Sequence, residues 1–183
     1  MRTTRPKPQT HSSGNGMYVY LAGAIEYAPD QGSRWREDMT RFLVNELGHR
    51  VFNPCIEENH ILTPDEFRHF RKWKQTDLRK FRHVVRKLIH TDLTTLINDI
   101  DYVVCLWDEH VLKGAGTQGE LTFCFYHNIP VYMVSTFPIP AMSSWIIGCT
   151  TEIFPHFEAL KEFLREKYGR GGISTSDQTS PSP

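Results

Sequence analysis

The chain has no run approaching the ~20 apolar residues needed to cross a membrane as a helix, and no apolar signal-peptide segment near its first residue. No membrane partner is expected, and the expected location is the cytoplasm. Charge of neither sign is in surplus. Lys and Arg number 21, as do Asp and Glu, so global charge argues for neither a nucleic-acid binder nor a strongly acidic partner surface. Cysteine is scarce and unpatterned: Cys55, Cys105, Cys124 and Cys149 include no C-x-x-C pair and no His spacing of a zinc site. Three of them lie in apolar runs and read as small buried thiols of an intracellular protein. Walker A, a G-x-G-x-x-G after the first strand, H-E-x-x-H and G-x-S-x-G are all missing. Their absence removes the common nucleotide-triphosphate, dinucleotide, zinc-protease and hydrolase readings. Internal repeats are absent too.

What is present, within 183 residues, is the material of one ordinary domain. Residues 1–16 and 169–183 are rich in Thr, Ser, Pro and Gly and are expected to be disordered tails flanking a folded part at 17–168. Met17–Ala22 is a short apolar run closed by Gly23 and reads as a buried strand. Ser33–Leu47 follows as a helix, with Trp35, Met39, Phe42, Leu43 and Leu47 on one face and Gly48 as terminator. A second strand is expected over His49–Pro54. Thr63-Pro-Asp-Glu66 has the form of a helix start. From Phe67 to His90 the apolar spacing is helical, broken once at Asp77 and Leu78, which leaves one long helix or two short ones open. That stretch is also the most basic of the chain. A solvated face accounts for it, with a phosphate or nucleic-acid surface as the sharper alternative; no aromatic-interleaved module accompanies it, so no nucleic-acid polymer is expected as partner. Further along, helices are expected at Thr91–Asp101, Thr117–His127 and His156–Tyr168. Strands are expected at Tyr102–Trp107, Pro130–Val134 and, weakly, Thr151–Phe154. The alternation predicts an α/β fold: an open, doubly wound parallel sheet of four to five strands with helices on both faces and ligand sites at the strands' carboxyl ends.

One such end, after the most apolar strand, carries Lys113-Gly-Ala-Gly-Thr-Gln-Gly-Glu-Leu121. Glycines permit positive φ and close ligand approach, and free N–H groups at a helix start favour an anion or polar ligand. Glu120 in the first turn of the following helix would be ionised and ready to act as a nucleophile or clamp. The same residues also read as a capping box, Thr117 with Glu120. If the first and third strands are neighbours, Tyr20, Gly23, Asp92 and Glu120 converge. A carboxylate that attacks a sugar C1 while a second, proton-bearing carboxyl assists the leaving group is the logic of retaining glycosyl transfer. Glu120 suits the first role and Asp92 the second, with Tyr20 donating a hydrogen bond to the nucleophile. Asp92 could instead cap a helix, and Tyr20 could be core.

Four segments in this order resemble the nucleoside 2-deoxyribosyltransferase family, which includes related 2'-deoxynucleoside 5'-monophosphate N-hydrolases: Val19-Tyr-Leu-Ala-Gly23, Asp92-Leu with Asn98-Asp-Ile, Gly116-Thr-Gln-Gly-Glu120-Leu, and Ser144-Trp145. The resemblance implies a flavodoxin/Rossmann-like fold and exchange of a base on 2-deoxyribose through a covalent intermediate on Glu120, with Asp92 as acid/base and Tyr20 positioning Glu120. It implies no metal or organic cofactor, a nucleoside or nucleotide and a free nucleobase as partners, and a homo-oligomer with sites near the interface. The resemblance also implies base contacts from Glu58-Asn59-His60, and substrate contacts are expected from Gly23, Asn59, His60, Gly114, Gly116 and Thr117. Gly114 departs from the pattern, since many members carry an aspartate six residues before the nucleophile. The alternatives are an N-glycosidase acting on nucleoside 5'-monophosphates and a non-catalytic nucleotide sensor.

Overall fold

The computed structural model describes residues 16–169. The tails expected at 1–16 and 169–183 lie outside the described residues, Gly16 and Gly169 excepted. Five strands, β1 (Tyr18–Ala22), β2 (Arg50–Phe52), β3 (Tyr102–Trp107), β4 (Val131–Ser135) and β5 (Glu152–Phe154), form one sheet in the order β2-β1-β3-β4-β5. Every pairing is parallel. This is the flavodoxin-like order, and the chain reverses its direction of winding between β1 and β3.

The alternation of side chains along each strand sorts the core into two layers. Val19, Leu21, Tyr102, Val104, Tyr132 and Val134 pack against Met39, Phe42 and Leu43 of α1 (Ser33–Asn45) and Leu160 and Leu164 of the C-terminal helix Phe157–Tyr168. Tyr20, Ala22, Val103, Cys105, Val131 and Met133 face the other way. They meet Leu96 of the helix Leu78–Asn98, Leu121 and Cys124 of the helix Gly116–His127, and Ile146 of the short helix Ser144–Gly148. In chain order these helices are α1, α2 (Pro54–Ile61), α3 (Pro64–Thr76), α4 (Leu78–Asn98), α5 (Gly116–His127), α6 (Ser144–Gly148) and α7 (Phe157–Tyr168).

Two local features differ from expectation, and one that the sequence left open is decided. Thr91–Asp101 is not a helix of its own but the second half of α4, because neither glycine nor proline interrupts the run from Leu78 to Asn98. The phase break at Asp77 is a real boundary: Asp77 ends α3 and caps α4, its side chain accepting from Lys80 N–H at 3.0 Å. α2 was hidden in the polar stretch after β2. It has no apolar stripe to announce it and rests on Asn53, whose side chain caps Cys55 N–H, and on Pro54 at its first position. The Thr63–Glu66 capping box forms as expected. α2, α3 and the first half of α4 enclose a small satellite core of Leu62, Phe70 and Val84 beside the sheet.

Candidate active site

β1 and β3 are hydrogen-bonded neighbours, and beyond their carboxyl ends lies a crevice. It is lined by Gly23 to Tyr27, His110, Val111, Gly114 to Thr117, and Glu120. Gly23 is where a side chain would not fit: a Cβ there would lie 3.0 Å from the Trp35 ring and 3.3 Å from the Leu106 carbonyl oxygen.

Tyr20 is fully buried on the α4/α5 side of β1, its ring stacked on Phe52 at 5.1 Å between centroids. Its hydroxyl donates to Glu120 Oε1 at 2.9 Å. Burial first, and then the charges of Glu120 and Asp92, push the phenol well above its ordinary range, so it stays a donor. Glu120 reaches it because helical spacing places it with the buried Thr117, Leu121 and Cys124 on one face of α5. The expected capping box does not form. α5 begins at Gly116 with Ala115 as its cap position, so Glu120 falls in the second turn and Thr117 is buried within the helix.

Asp92 projects from α4 one turn before the buried Leu96. It is not a helix cap. Burial, then the charge of Glu120, then that of Glu58 push its carboxyl up to about 8, which leaves it protonated at neutral pH. Glu120 is also pushed upward by burial, but the Tyr20 hydrogen bond and the charge of Arg36 both oppose the shift. Asp92 is not among the residues that line the crevice, but the charge of Glu120 is one of the causes that raise its carboxyl, and both carboxyls are raised by burial.

The glycines of the loop give clearance rather than a positive-φ cradle. Positive φ occurs at Gly23, Gly32 and Gly48 among the described glycines, not at Gly114, Gly116 or Gly119. A Cβ at Gly116 or Gly119 would meet nothing within 4 Å, and one at Gly114 would touch the Tyr27 ring at 3.6 Å. The loop's contribution is open space beside Glu120 rather than unusual backbone geometry.

Of the expected substrate contacts, Gly23, Gly114, Gly116 and Thr117 line the crevice, whereas Asn59 and His60 stay exposed on α2 outside its lining. Asn59 spends its amide on the carbonyls of Cys55 and Ile56. Glu58, expected with them, also lies outside that lining but is largely covered, paired with Arg71 at 3.1 Å. Three residues with no motif to flag them also reach the site. Tyr27 forms a wall beside Gly114; Lys74 of α3 crosses the mouth, its Nζ 2.6 Å from Glu26 and 3.3 Å from the Tyr27 hydroxyl; Arg36 lies beneath. Among the described residues Asp108, Glu109 and His110 place possible metal-ligand atoms within 4.8 Å of one another. Asp108 Oδ1 already accepts from the backbone N–H groups of His110 and Val111, so its position is accounted for by the turn.

No protein-family model matches the chain, and no curated protein matches it. Among solved structures, a 2-deoxyribosyltransferase from the psychrotolerant bacterium Bacillus psychrosaccharolyticus matches with a TM-score of 0.51 at 16% identity, over 79% of this chain and 90% of that one. The CMP N-glycosidase BcmB of Clostridium botulinum matches with a TM-score of 0.48 at 17% identity, over 80% of this chain and 96% of that one. The transferase shares this chain's fold. At such identity the likeness is one of architecture, and it agrees with the fold that the sequence motifs implied.

Proposed function

We propose that the protein transfers 2-deoxyribose between nucleobases through a covalent intermediate on Glu120. The observation that carries this reading is the 2.9 Å hydrogen bond from Tyr20 to Glu120 beside an Asp92 that holds its proton. A carboxylate oxygen of Glu120 attacks C1' of the deoxynucleoside; the bond from C1' to the base nitrogen breaks, and its electron pair leaves with the base. Asp92 supplies the proton that neutralises that nitrogen. In the second half, Asp92 takes a proton from the incoming base, whose nitrogen attacks C1' and releases Glu120. Tyr20 holds Glu120 in line and favours its ionised form. Transfer to a base and transfer to water share every step up to the intermediate. Incubation with deoxyinosine and free adenine tests the proposal: deoxyadenosine should form, and a Glu120→Ala variant that still formed it would overturn the proposal.

A second reading, hydrolysis of a deoxynucleoside 5'-monophosphate to base and sugar phosphate, is favoured by Lys74 at the crevice mouth. Release of free base from a monophosphate without an acceptor would select it. Binding without turnover or labelling would select a nucleotide sensor instead. The homo-oligomer belongs to the same proposal. Phe125, Tyr126 and Trp145, 62%, 79% and 65% exposed, are the large apolar side chains a partner subunit would cover.

A further inference from the structure

The crevice lining contains two carboxylates and, among the described residues, neither a lysine nor an arginine: its ionisable side chains are Glu26, Tyr27, His110 and Glu120. With a volume of about 200 Å³ it is smaller than the usual site for a whole drug-sized ligand. It has room for part of a nucleoside, and the position of Asp92 says which part. Asp92 lies outside the lining, on α4. In the proposed reaction the base leaves towards Asp92, so the crevice, from Glu120 to the loop 23–27, receives the sugar and its 5' end.

Glu26 stands at the mouth of that crevice, on the segment between β1 and α1. Its Oε1 accepts from Lys74 Nζ at 2.6 Å, and Lys74 also donates to the Tyr27 hydroxyl at 3.3 Å. That cation alone would attract a phosphate; paired with Glu26 it offers no net charge. The other cations nearby do not replace it. Arg36 is fully buried and commits its guanidinium to the carbonyls of Leu21, Gly23, Ala24 and Gly32. Arg34 lines a separate pocket beside α1 together with Asp30, Asp38 and Asp108. Lys113 is exposed and outside the crevice lining, and His110 lies 3.6 Å from Glu109. The start of α5 favours an anion, but Glu120 already supplies a carboxylate on that helix and Glu26 a second in the same lining.

We propose that Glu26 is a specificity-determining residue, selecting a nucleoside with a free 5'-hydroxyl against one carrying a 5'-phosphate. This deepens the proposed function and rests on it for the direction of the sugar. A hydroxyl is a neutral donor, and the Glu26 carboxylate has a second oxygen, beside the one held by Lys74, to accept from it. A phosphate brings about −1.5 to −2 charges. It meets like charge at Glu26 and can take Lys74 only by breaking the existing pair. The two side chains are 42% and 47% exposed, so solvent moderates the effect to a preference rather than an absolute bar.

The test is the affinity of the full chain for deoxyinosine and for deoxyinosine 5'-monophosphate, measured by calorimetry with no acceptor base present. The wild type should bind deoxyinosine the more tightly. Glu26→Gln keeps an accepting oxygen but loses the charge and frees Lys74; it should tighten the monophosphate roughly tenfold and leave deoxyinosine within about twofold. Glu26→Ala, which also loses the acceptor, should weaken deoxyinosine severalfold. Glu26 is half exposed, so these variants read binding rather than folding. A wild type that prefers the monophosphate, a Glu26→Gln variant that leaves the monophosphate unmoved, or no binding of either ligand would overturn the proposal. The measurement needs no turnover. A Glu26 effect confined to the monophosphate places the 5' end at Glu26 by itself, so in a protein that makes no deoxyadenosine it would reject the proposed function and leave this inference standing. Deoxyadenosine formation with an unmoved ratio of affinities would do the reverse.

Discussion

A two-carboxylate displacement runs only while Glu120 is ionised and Asp92 is not, and this requirement fixes the pH dependence. Turnover should rise on an acid limb set by Glu120 and fall on an alkaline limb near pH 8 as Asp92 loses its proton, the two limbs belonging to the coupled pair. A pH–rate profile checks this, and Asp92→Asn should abolish the alkaline limb while lowering kcat. The same group leaves a mark on stability. Its folded value of about 8 lies above its value of ~3.9 in the unfolded chain. The native state therefore holds the extra proton between those values, and this contribution to stability is lost as pH rises through that window. Asp92→Asn removes the decline and should be ~1–2 kcal/mol more stable than the wild type at pH 8, measured by urea unfolding. Tyr20→Phe keeps the stack on Phe52 and loses only the hydroxyl, so kcat should fall about 10- to 100-fold with the acid limb displaced to higher pH. The contact of Tyr20 with Glu120 was legible because one sits on β1 and the other on the helix that follows β3, whereas Asp92 lies within α4, away from any strand end. Arg36 was not legible, since an arginine beside Trp35 at a helix start reads as a solvated charge, and only the folded loop reveals that it is buried.

At the scale of elements, α3 and α4 do more than extend the sheet's cover. Their hairpin stands on its own small core and carries Lys74 to the crevice and Arg71 to Glu58, which in turn bears on Asp92. The basic stretch thus divides: Arg71, Lys74 and Lys87 are paired with Glu58, Glu26 and Glu66, while Arg79, Arg82 and Arg86 form an exposed stripe along α4. Lys74→Ala should raise KM for deoxynucleoside monophosphates severalfold and leave KM for unphosphorylated deoxynucleosides nearly unchanged; equal effects on both would remove Lys74 from phosphate recognition. The break at Asp77 was visible as a lost helical phase. α2 was not visible, because a short helix polar all round has no periodicity to read and is held by Asn53 and Pro54 at its start.

For the whole molecule, strand order was the decisive step from motif to site. Placing β1 beside β3 brings residues a hundred positions apart, Tyr20 and Glu120, into hydrogen bonding. Nothing local in either segment encodes that contact; it follows from the parallel winding of a doubly wound sheet, which the alternation of strands and helices did encode. The exposed Phe125, Tyr126 and Trp145 predict association of copies in solution, checked by light scattering, with charged substitutions at Phe125 and Tyr126 shifting the mass toward one chain. The central claim, that Glu120 forms a bond to the sugar, is tested most directly by treating the protein with a 2-fluoro-2-deoxynucleoside and mapping the adduct by peptide mass spectrometry. A fluorosugar on Glu120, absent from Glu120→Ala and discharged by added adenine, is the predicted result. An unlabelled protein, or a label that persists in Glu120→Ala, would contradict it.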